Sequence, residues 1–248
     1  MAICHSLQLS YRSFIVTGLM VGKIIFSLVY GIILGIITIP LSKWLAKRRT
    51  DDPSKLAPLV KTPIRILIVF AAIVAALGIS FTTDTEDPGA LREGIRNIIL
   101  LIPVFSIATV DSLVRKIPNP LLLAMLVIQS VYITVVSIMT ESIDEIPKAI
   151  IGFFLGMVVC FIPSLLKIPM GAGDIKYNGV IGLCIGAAGY FESMILMAVF
   201  VVIAFVYLKI SKKGGMKTLI PMGPFISLGM VIAMCFPLSV LFSSSGLI

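Results

Sequence analysis

Long apolar runs separated by short polar segments dominate this 248-residue sequence. A helix needs about 20 mainly apolar residues to cross the hydrocarbon core of a bilayer. The sequence has seven apolar segments of about this length and one further apolar segment, 177–190, that is shorter than they are and rich in glycine. The pattern therefore predicts an all-α, polytopic membrane protein with about eight transmembrane helices. The seven longer crossings are expected at 20–42, 63–82, 97–114, 120–139, 147–166, 191–209 and 222–243.

The composition excludes a soluble globular domain. Hydrophobic residues make up 58% of the chain and charged residues 13%, whereas soluble domains carry about 25% charged residues. The longest polar segment, 43–62, is interpreted as a short cytoplasmic linker. It lies within an N-terminal unit of membrane helices, 1–96, which precedes a core of six crossings at 97–248. Four GxxxG pairs predict close helix packing; they are Gly18/Gly22, Gly31/Gly35, Gly152/Gly156 and Gly182/Gly186.

Charged residues segregate between the two sets of loops, provided that 177–190 is counted as a crossing. Loops rich in Lys and Arg face the cytoplasm, so this count gives eight helices with both termini outside. The basic loops hold Lys43, Lys47, Arg48, Arg49, Lys55, Lys61, Arg65, Arg115, Lys116, Lys167, Lys176, Lys209, Lys212, Lys213 and Lys217. The opposite loops hold Asp84, Glu86, Asp87, Glu93, Glu141, Asp144, Glu145 and Glu192. Short juxtamembrane clusters of this kind indicate orientation and contact with anionic lipid rather than nucleic acid binding.

Two large classes of enzyme site are excluded by the Cys and His content. The single histidine, His5, cannot build a His-rich metal centre or a Ser-His-Asp triad. The four cysteines (Cys4, Cys160, Cys184, Cys235) stand singly without a CxxC, so neither a zinc site nor a disulfide framework is indicated. We expect no metal and no cofactor.

Asp111 and Asp174 are the two candidates for chemistry, because a carboxylate at membrane depth is costly. Asp111 ends the third long apolar run, and Asp174 lies between the fifth and sixth segments, so both fall on the cytoplasmic side. Two adjacent carboxylates share one proton and provide a base and an acid. Such a pair activates water for attack on a peptide carbonyl. Gly171 and Gly173, which lack a Cβ, allow close approach by a substrate.

Three other interpretations remain open at this level. The two aspartates could form interfacial ion pairs with Arg115, Lys116, Lys167 or Lys176. They could bind a cation or proton in a transporter, although such sites usually lie near mid-membrane between repeated halves, and the sequence shows no repeat. The chain could also be an assembly factor that keeps the fold without catalysis.

Three segments of the sequence resemble one family. DSLVRKIPNPLL, GAGDIK and LIPMGPFISLG are similar, in order and spacing over about residues 97–243, to the motifs of type IV prepilin peptidases, the GxGD membrane aspartyl peptidases. The resemblance implies a cofactor-free aspartic endopeptidase with Asp111 and Asp174 as its catalytic dyad. It also implies that Gly171 and Gly173 shape the site, while Lys176 matches a motif position.

The resemblance also implies a substrate and a location. The family removes the basic leader of type IV pilin or pseudopilin precursors after a glycine, at the cytoplasmic face of the cytoplasmic (inner) membrane. Residues 43–62 lack the paired CxxC motifs of bifunctional members, so we expect a short form that cleaves without methylating. Presenilin-like relatives carry Tyr-Asp where this chain has Val110-Asp111. The pilus or secretion system and the oligomeric state stay open.

Overall fold

The computed structural model describes residues 2–50, 52–165, 171–211 and 221–237, with the backbone alone for residues 2–17, 53, 60 and 163–165. A 3-10 turn, Pro53–Leu56, lies in the linker after the first helix. The described residues form helices and no strand. These helices are α1 (Ala2–Lys47), α2 (Ala57–Val60), α3 (Thr62–Thr82), α4 (Pro88–Val114), α5 (Asn119–Thr140), α6 (Glu145–Leu165), α7 (Ala172–Ile210) and α8 (Gly223–Cys235).

Six of these helices are long and apolar enough to cross a membrane. They include the Gly18–Lys47 part of α1 and the Glu145–Ile162 part of α6, together with α3, α4, α5 and α7. Large apolar side chains such as Ile66, Leu67 and Phe70 are more than 60% exposed, as expected of a lipid-facing surface. The all-α, polytopic membrane fold is therefore confirmed, while the count of eight crossings and the division at residue 96 stay predictions.

The helix ends follow local capping chemistry. Proline occupies the first turn of α3, α4, α5 and α8, where its missing N–H costs nothing. The Asp87 carboxylate caps α4 by accepting bonds from the N–H groups of Gly89 (2.9 Å) and Ala90 (3.2 Å). These bonds hold the pKa of Asp87 below its usual value. At the far end α8 ends at Cys235, where Phe236 leaves the helical conformation; residues 238–243 of the segment expected at 222–243 lie outside the described residues.

The α7 helix contains a sharp reversal. Gly186 has φ 70° and ψ 178°, a backbone conformation that favours glycine. The Tyr190 hydroxyl donates to Asn178 Oδ1 at 3.3 Å, although 12 residues of straight helix would separate their Cα atoms by about 18 Å. The chain therefore turns back at Gly186 and forms two arms, 172–185 and 187–210. The predicted segments 177–190 and 191–209 correspond to these arms, with the break at Gly186 instead of residue 190.

Glycines bring two pairs of helices into backbone contact. A Cβ added to Gly152 of α6 would meet the carbonyl oxygen of Gly182 on α7. On α1, a Cβ at Gly31 would lie 2.5 Å from the Cα of Ile73 on α3. Both glycines of two predicted GxxxG pairs and Gly182 of a third thus pack against helices, whereas Gly18, Gly22 and Gly186 have no atom within 4 Å of an added Cβ. The α6–α7 and α1–α3 pairs cannot accept larger residues at these contacts without moving apart.

The α4 helix is the most deeply buried of the long helices. It contacts α1, α3, α5 and α8, and its residues Leu100, Leu101 and Ile107 are fully buried. The Tyr30 hydroxyl of α1 donates to the carbonyl of Ile98 at 2.6 Å, which fixes the N-terminal helix against α4. The last turn of α4, which carries Asp111, is therefore held from several sides.

Candidate active site

Asp111 is buried at the end of α4, with 5% of its surface exposed. Its Oδ2 atom accepts a hydrogen bond of 2.9 Å from the backbone N–H of Gly223, the first residue of α8. A helix N-terminus carries partial positive charge, so α8 stabilises negative charge on this carboxylate. The helix α4 ends at Val114 and is capped by Arg115, which adopts the left-handed conformation (φ 54°) and donates its N–H to the Asp111 carbonyl.

Gly223 has no room for a side chain. An added Cβ would lie 2.7 Å from both Cβ and Oδ2 of Asp111 and 2.8 Å from its Cγ. Only glycine can therefore place the N–H of residue 223 on this carboxylate. The sequence analysis did not select Gly223 as a site residue, although the glycine of LIPMGPFISLG was the available signal.

Asp174 lies in the first turn of α7, directly after the glycine-rich segment. Its N–H donates to the Gly171 carbonyl at 2.9 Å, which starts the helix. A Cβ on Gly171 would lie 2.8 Å from Oδ2 of Asp174, and a Cβ on Gly173 would lie 3.3 Å from the Cβ of Ile117. One glycine thus makes room for the carboxylate, and the other lets α7 approach the connection that follows α4.

Both carboxylates line one cavity of about 250 Å³. The charge of Asp111 acts on Asp174 across it. The five residues selected from the sequence (Asp111, Asp174, Gly171, Gly173 and Lys176) all line this cavity. The remaining lining residues are Arg49, Arg115, Lys116, Ile117 and Asn119. The structure therefore brings together two aspartates that lie 63 positions apart in the sequence.

Neither aspartate is in an ion pair within the part of the chain that the structure describes. The pairs closer than 4.0 Å are Arg96 with Glu93 and Lys148 with Glu145. The predicted partners Arg115, Lys116 and Lys176 line the same cavity without reaching either carboxylate, and Lys167 lies outside the described residues. No group of three or more His, Cys, Asp or Glu side chains in the described ranges is placed to hold a metal. Both carboxylates are thus free of direct cation contact.

Arg49 brings the N-terminal part of the chain into the site. Its Nη1 atom donates to the carbonyl of Ile117 at 3.3 Å, and its side chain lines the cavity of both aspartates. The adjacent Arg48 instead stacks on Trp44, 3.9 Å from the ring centroid, and does not line the cavity. Sequence reasoning treated Arg49 only as a charge that orients the protein, because no local pattern links position 49 to position 117.

Buried polar bonds support the site from behind. The Asn178 amide donates to the Asp174 carbonyl at 2.9 Å and accepts from Tyr190. The Tyr177 hydroxyl and Ser227 Oγ share a hydrogen bond of 2.7 Å that links α7 to α8. The bond between Tyr190 and Asn178 joins the two arms of α7, and the bond between Tyr177 and Ser227 joins the first arm to α8, whose Gly223 binds Asp111. None of these contacts was predicted from the sequence.

Part of the chain, including both aspartates, matches a known protein family. Residues 98–210 match the type IV leader peptidase family. The match confirms the resemblance drawn from the motifs and includes both aspartates, whereas Arg49 and Gly223 lie outside it. It supports a protease related to type IV leader peptidases. Comparisons with curated proteins and with solved structures give no match.

Proposed function

We propose that this protein is an integral-membrane aspartic endopeptidase that removes the leader peptide of prepilin-like precursors. One observation carries the proposal. Asp111 and Asp174 line a single cavity, without contact to a cation of the described residues, inside the region that matches a leader peptidase family. A carboxylate pair of this kind needs no metal to activate water.

The chemistry assigns a different role to each carboxylate. The dyad carries one proton, because two adjacent carboxylates do not both ionise readily. The Gly223 N–H stabilises the anion of Asp111, so we assign Asp111 as the base and Asp174 as the proton donor. Asp111 takes a proton from a water molecule while the oxygen of that water attacks the scissile carbonyl. Asp174 protonates the developing oxyanion. The proton held by Asp111 then passes to the leaving amine, and a hydroxyl of the tetrahedral intermediate returns its proton to Asp174 as the C–N bond breaks, which restores the dyad.

The position of the dyad on its helices supports a peptidase over a transporter. Asp111 lies three residues before the end of α4, and Asp174 lies two residues after the start of α7. Transporter sites usually lie near mid-membrane instead. Arg115, Lys116 and Lys176 surround the dyad, and basic connections face the cytoplasm. We therefore propose that cleavage occurs at the cytoplasmic face of the cytoplasmic membrane.

The test of the dyad is cleavage of a prepilin by purified variants. Asp111→Asn and Asp174→Asn should each abolish cleavage, and the double variant should be little worse than either, because the members of a dyad act as a unit. Asp52→Asn is the matched control, since Asp52 is exposed and does not line the cavity. Substantial activity in either single variant, with unfolding temperatures equal to that of the wild type, would exclude the mechanism.

The orientation has its own test. Single cysteines at positions 55 and 87, in a chain that lacks the four native cysteines, should react with a membrane-impermeant reagent from opposite sides of the membrane. Position 55 lies in the linker before α2, and position 87 caps α4 beyond the end of α3. Labelling of both positions from one side would contradict the proposed topology and leave the dyad chemistry untouched.

A further inference from the structure

A second, larger cavity opens between α3, α4 and α8. Its volume is about 760 Å³, roughly three times that of the catalytic cavity. Its walls are apolar except for Thr82 and Ser227. The side chains of Phe70 and Val74 at its edge are 62% and 50% exposed. This groove, defined by its lining on the three helices, faces the hydrocarbon region rather than the interior of the protein.

One end of the groove lies within one helical turn of the catalytic carboxylate. Val104 and Ala108 of α4 line it, and Asp111 follows them at the i, i+4, i+7 spacing that places side chains on one face of a helix. On the opposite wall Pro224 lines the groove, directly after Gly223, whose N–H binds Asp111. The apolar groove and the acidic site therefore share two helices and meet within one helical turn.

The length of the groove matches that of a short helix. Its lining extends from Leu67 to Thr82 on α3 and from Pro224 to Phe236 beside α8. At 1.5 Å per residue these stretches span about 22 and 18 Å. On the α3 wall, the small side chain of Ala71 permits close approach of a helix backbone, whereas Ala75 and Gly78 already pack against Cys235 of α8. A guest helix of about 12 to 15 residues would fill this length.

We propose that this groove binds the apolar helix that follows the scissile bond of the substrate. The inference rests on the proposed function and adds where the substrate lies. A helix in the groove would start at the level of Asp111 and run away from the cytoplasmic face. The peptide bond just before its first turn then lies at the dyad. Only a substrate helix must take a fixed position relative to Asp111, because the bond to be cleaved precedes it. A lipid acyl chain or a second copy of this chain has no such requirement.

The test compares two substrates and two matched variants. Val74→Trp fills the groove, whereas Ile66→Trp places the same bulk on α3 at an exposed position that does not line it. One substrate is a complete prepilin, and the other is a soluble peptide that ends a few residues after the cleavage site. For the complete prepilin, Val74→Trp should lower kcat/KM about tenfold or more, mainly through KM, because an apolar side chain of the helix loses its burial. Cleavage of the short peptide should not change.

The possible outcomes separate this inference from the proposed function. If the wild type cleaves neither substrate, the function itself fails. If Val74→Trp cleaves the complete prepilin as well as Ile66→Trp does, or loses both substrates equally, the groove is not the helix site. A photo-reactive amino acid at position 74 gives an independent readout with the wild-type dyad. Cross-links to the prepilin helix support the proposal, and cross-links only to lipid or to a second copy overturn it.

Discussion

Replacing Gly223 with alanine tests whether the start of α8 activates Asp111. The new Cβ would lie 2.7 Å from Oδ2 of the carboxylate, well inside van der Waals contact. The backbone of α8 is held against α7 at Gly229, where an added Cβ would meet the carbonyl oxygen of Ser193. We therefore expect the Asp111 side chain to rotate away and to lose the 2.9 Å bond from residue 223.

The size of the effect follows from that hydrogen bond. A bond to a charged group contributes about 1.5–3 kcal/mol, and each 1.36 kcal/mol corresponds to a tenfold change in rate. We expect kcat/KM for prepilin cleavage to fall about 10- to 150-fold in Gly223→Ala. The assay is cleavage by the purified protein in lipid vesicles, with thermal unfolding measured in parallel.

The control for this prediction is Gly22→Ala. Gly22 lies on α1 with no atom within 4 Å of an added Cβ, so this variant should cleave like the wild type. A Gly223→Ala enzyme that keeps activity within about twofold of the wild type, a smaller change than loss of even a weak hydrogen bond predicts, would refute the role of the Gly223 N–H. Loss of activity together with loss of the folded state would instead indicate a packing role.

Other contacts give further predictions. Arg49→Ala should lower prepilin cleavage more than Arg48→Ala, with partial recovery in Arg49→Lys. Of these two arginines only Arg49 lines the cavity and donates to the Ile117 carbonyl. Equal losses of activity in Arg48→Ala and Arg49→Ala would contradict this prediction. Ser227→Ala should lower the free energy of unfolding by about 1–3 kcal/mol, since it removes a partner of the buried Tyr177 hydroxyl, as measured in denaturant. The pKa of Asp87 is lowered in the folded state, so its stabilising effect is complete above the unfolded value of about 3.9 and is lost as pH falls through the lower folded value. Asp87→Ser, which caps without ionising, should flatten the acid side of the unfolding temperature profile, and an unchanged profile would exclude this contribution.

The membrane fold and the aspartate pair could be predicted because their signals are local. A run of apolar residues is visible in a short window, and the GAGD segment places glycines beside the acid that they accommodate. Counting crossings then put Asp111 and Asp174 on one face. The structure adds that both line the same cavity, which loop parity alone could not establish.

The contacts that complete the site depend on distant parts of the chain. Gly223 and Asp111 are 112 residues apart, and Arg49 and Ile117 are 68 apart, so no periodic pattern connects them. Gly186 was assigned to helix packing because it belongs to a GxxxG pair. Its positive φ depends on the path of the whole chain, and hydropathy does not report it.

The reversal at Gly186 has a consequence for the surrounding bilayer. The arm 172–185 contains 14 residues, and α8 contains 13 residues, so each is about 20 Å long. The hydrocarbon core is about 30 Å thick. The helices that begin at Ala172 and Gly223 are therefore too short to cross an undeformed membrane. The arm 172–185 is largely buried among other helices, so only lipid beside the exposed side of α8 must thin to avoid hydrophobic mismatch. The dyad lies at the start of both short helices, so membrane thickness controls how readily water, the second reactant of a hydrolase, reaches the carboxylates.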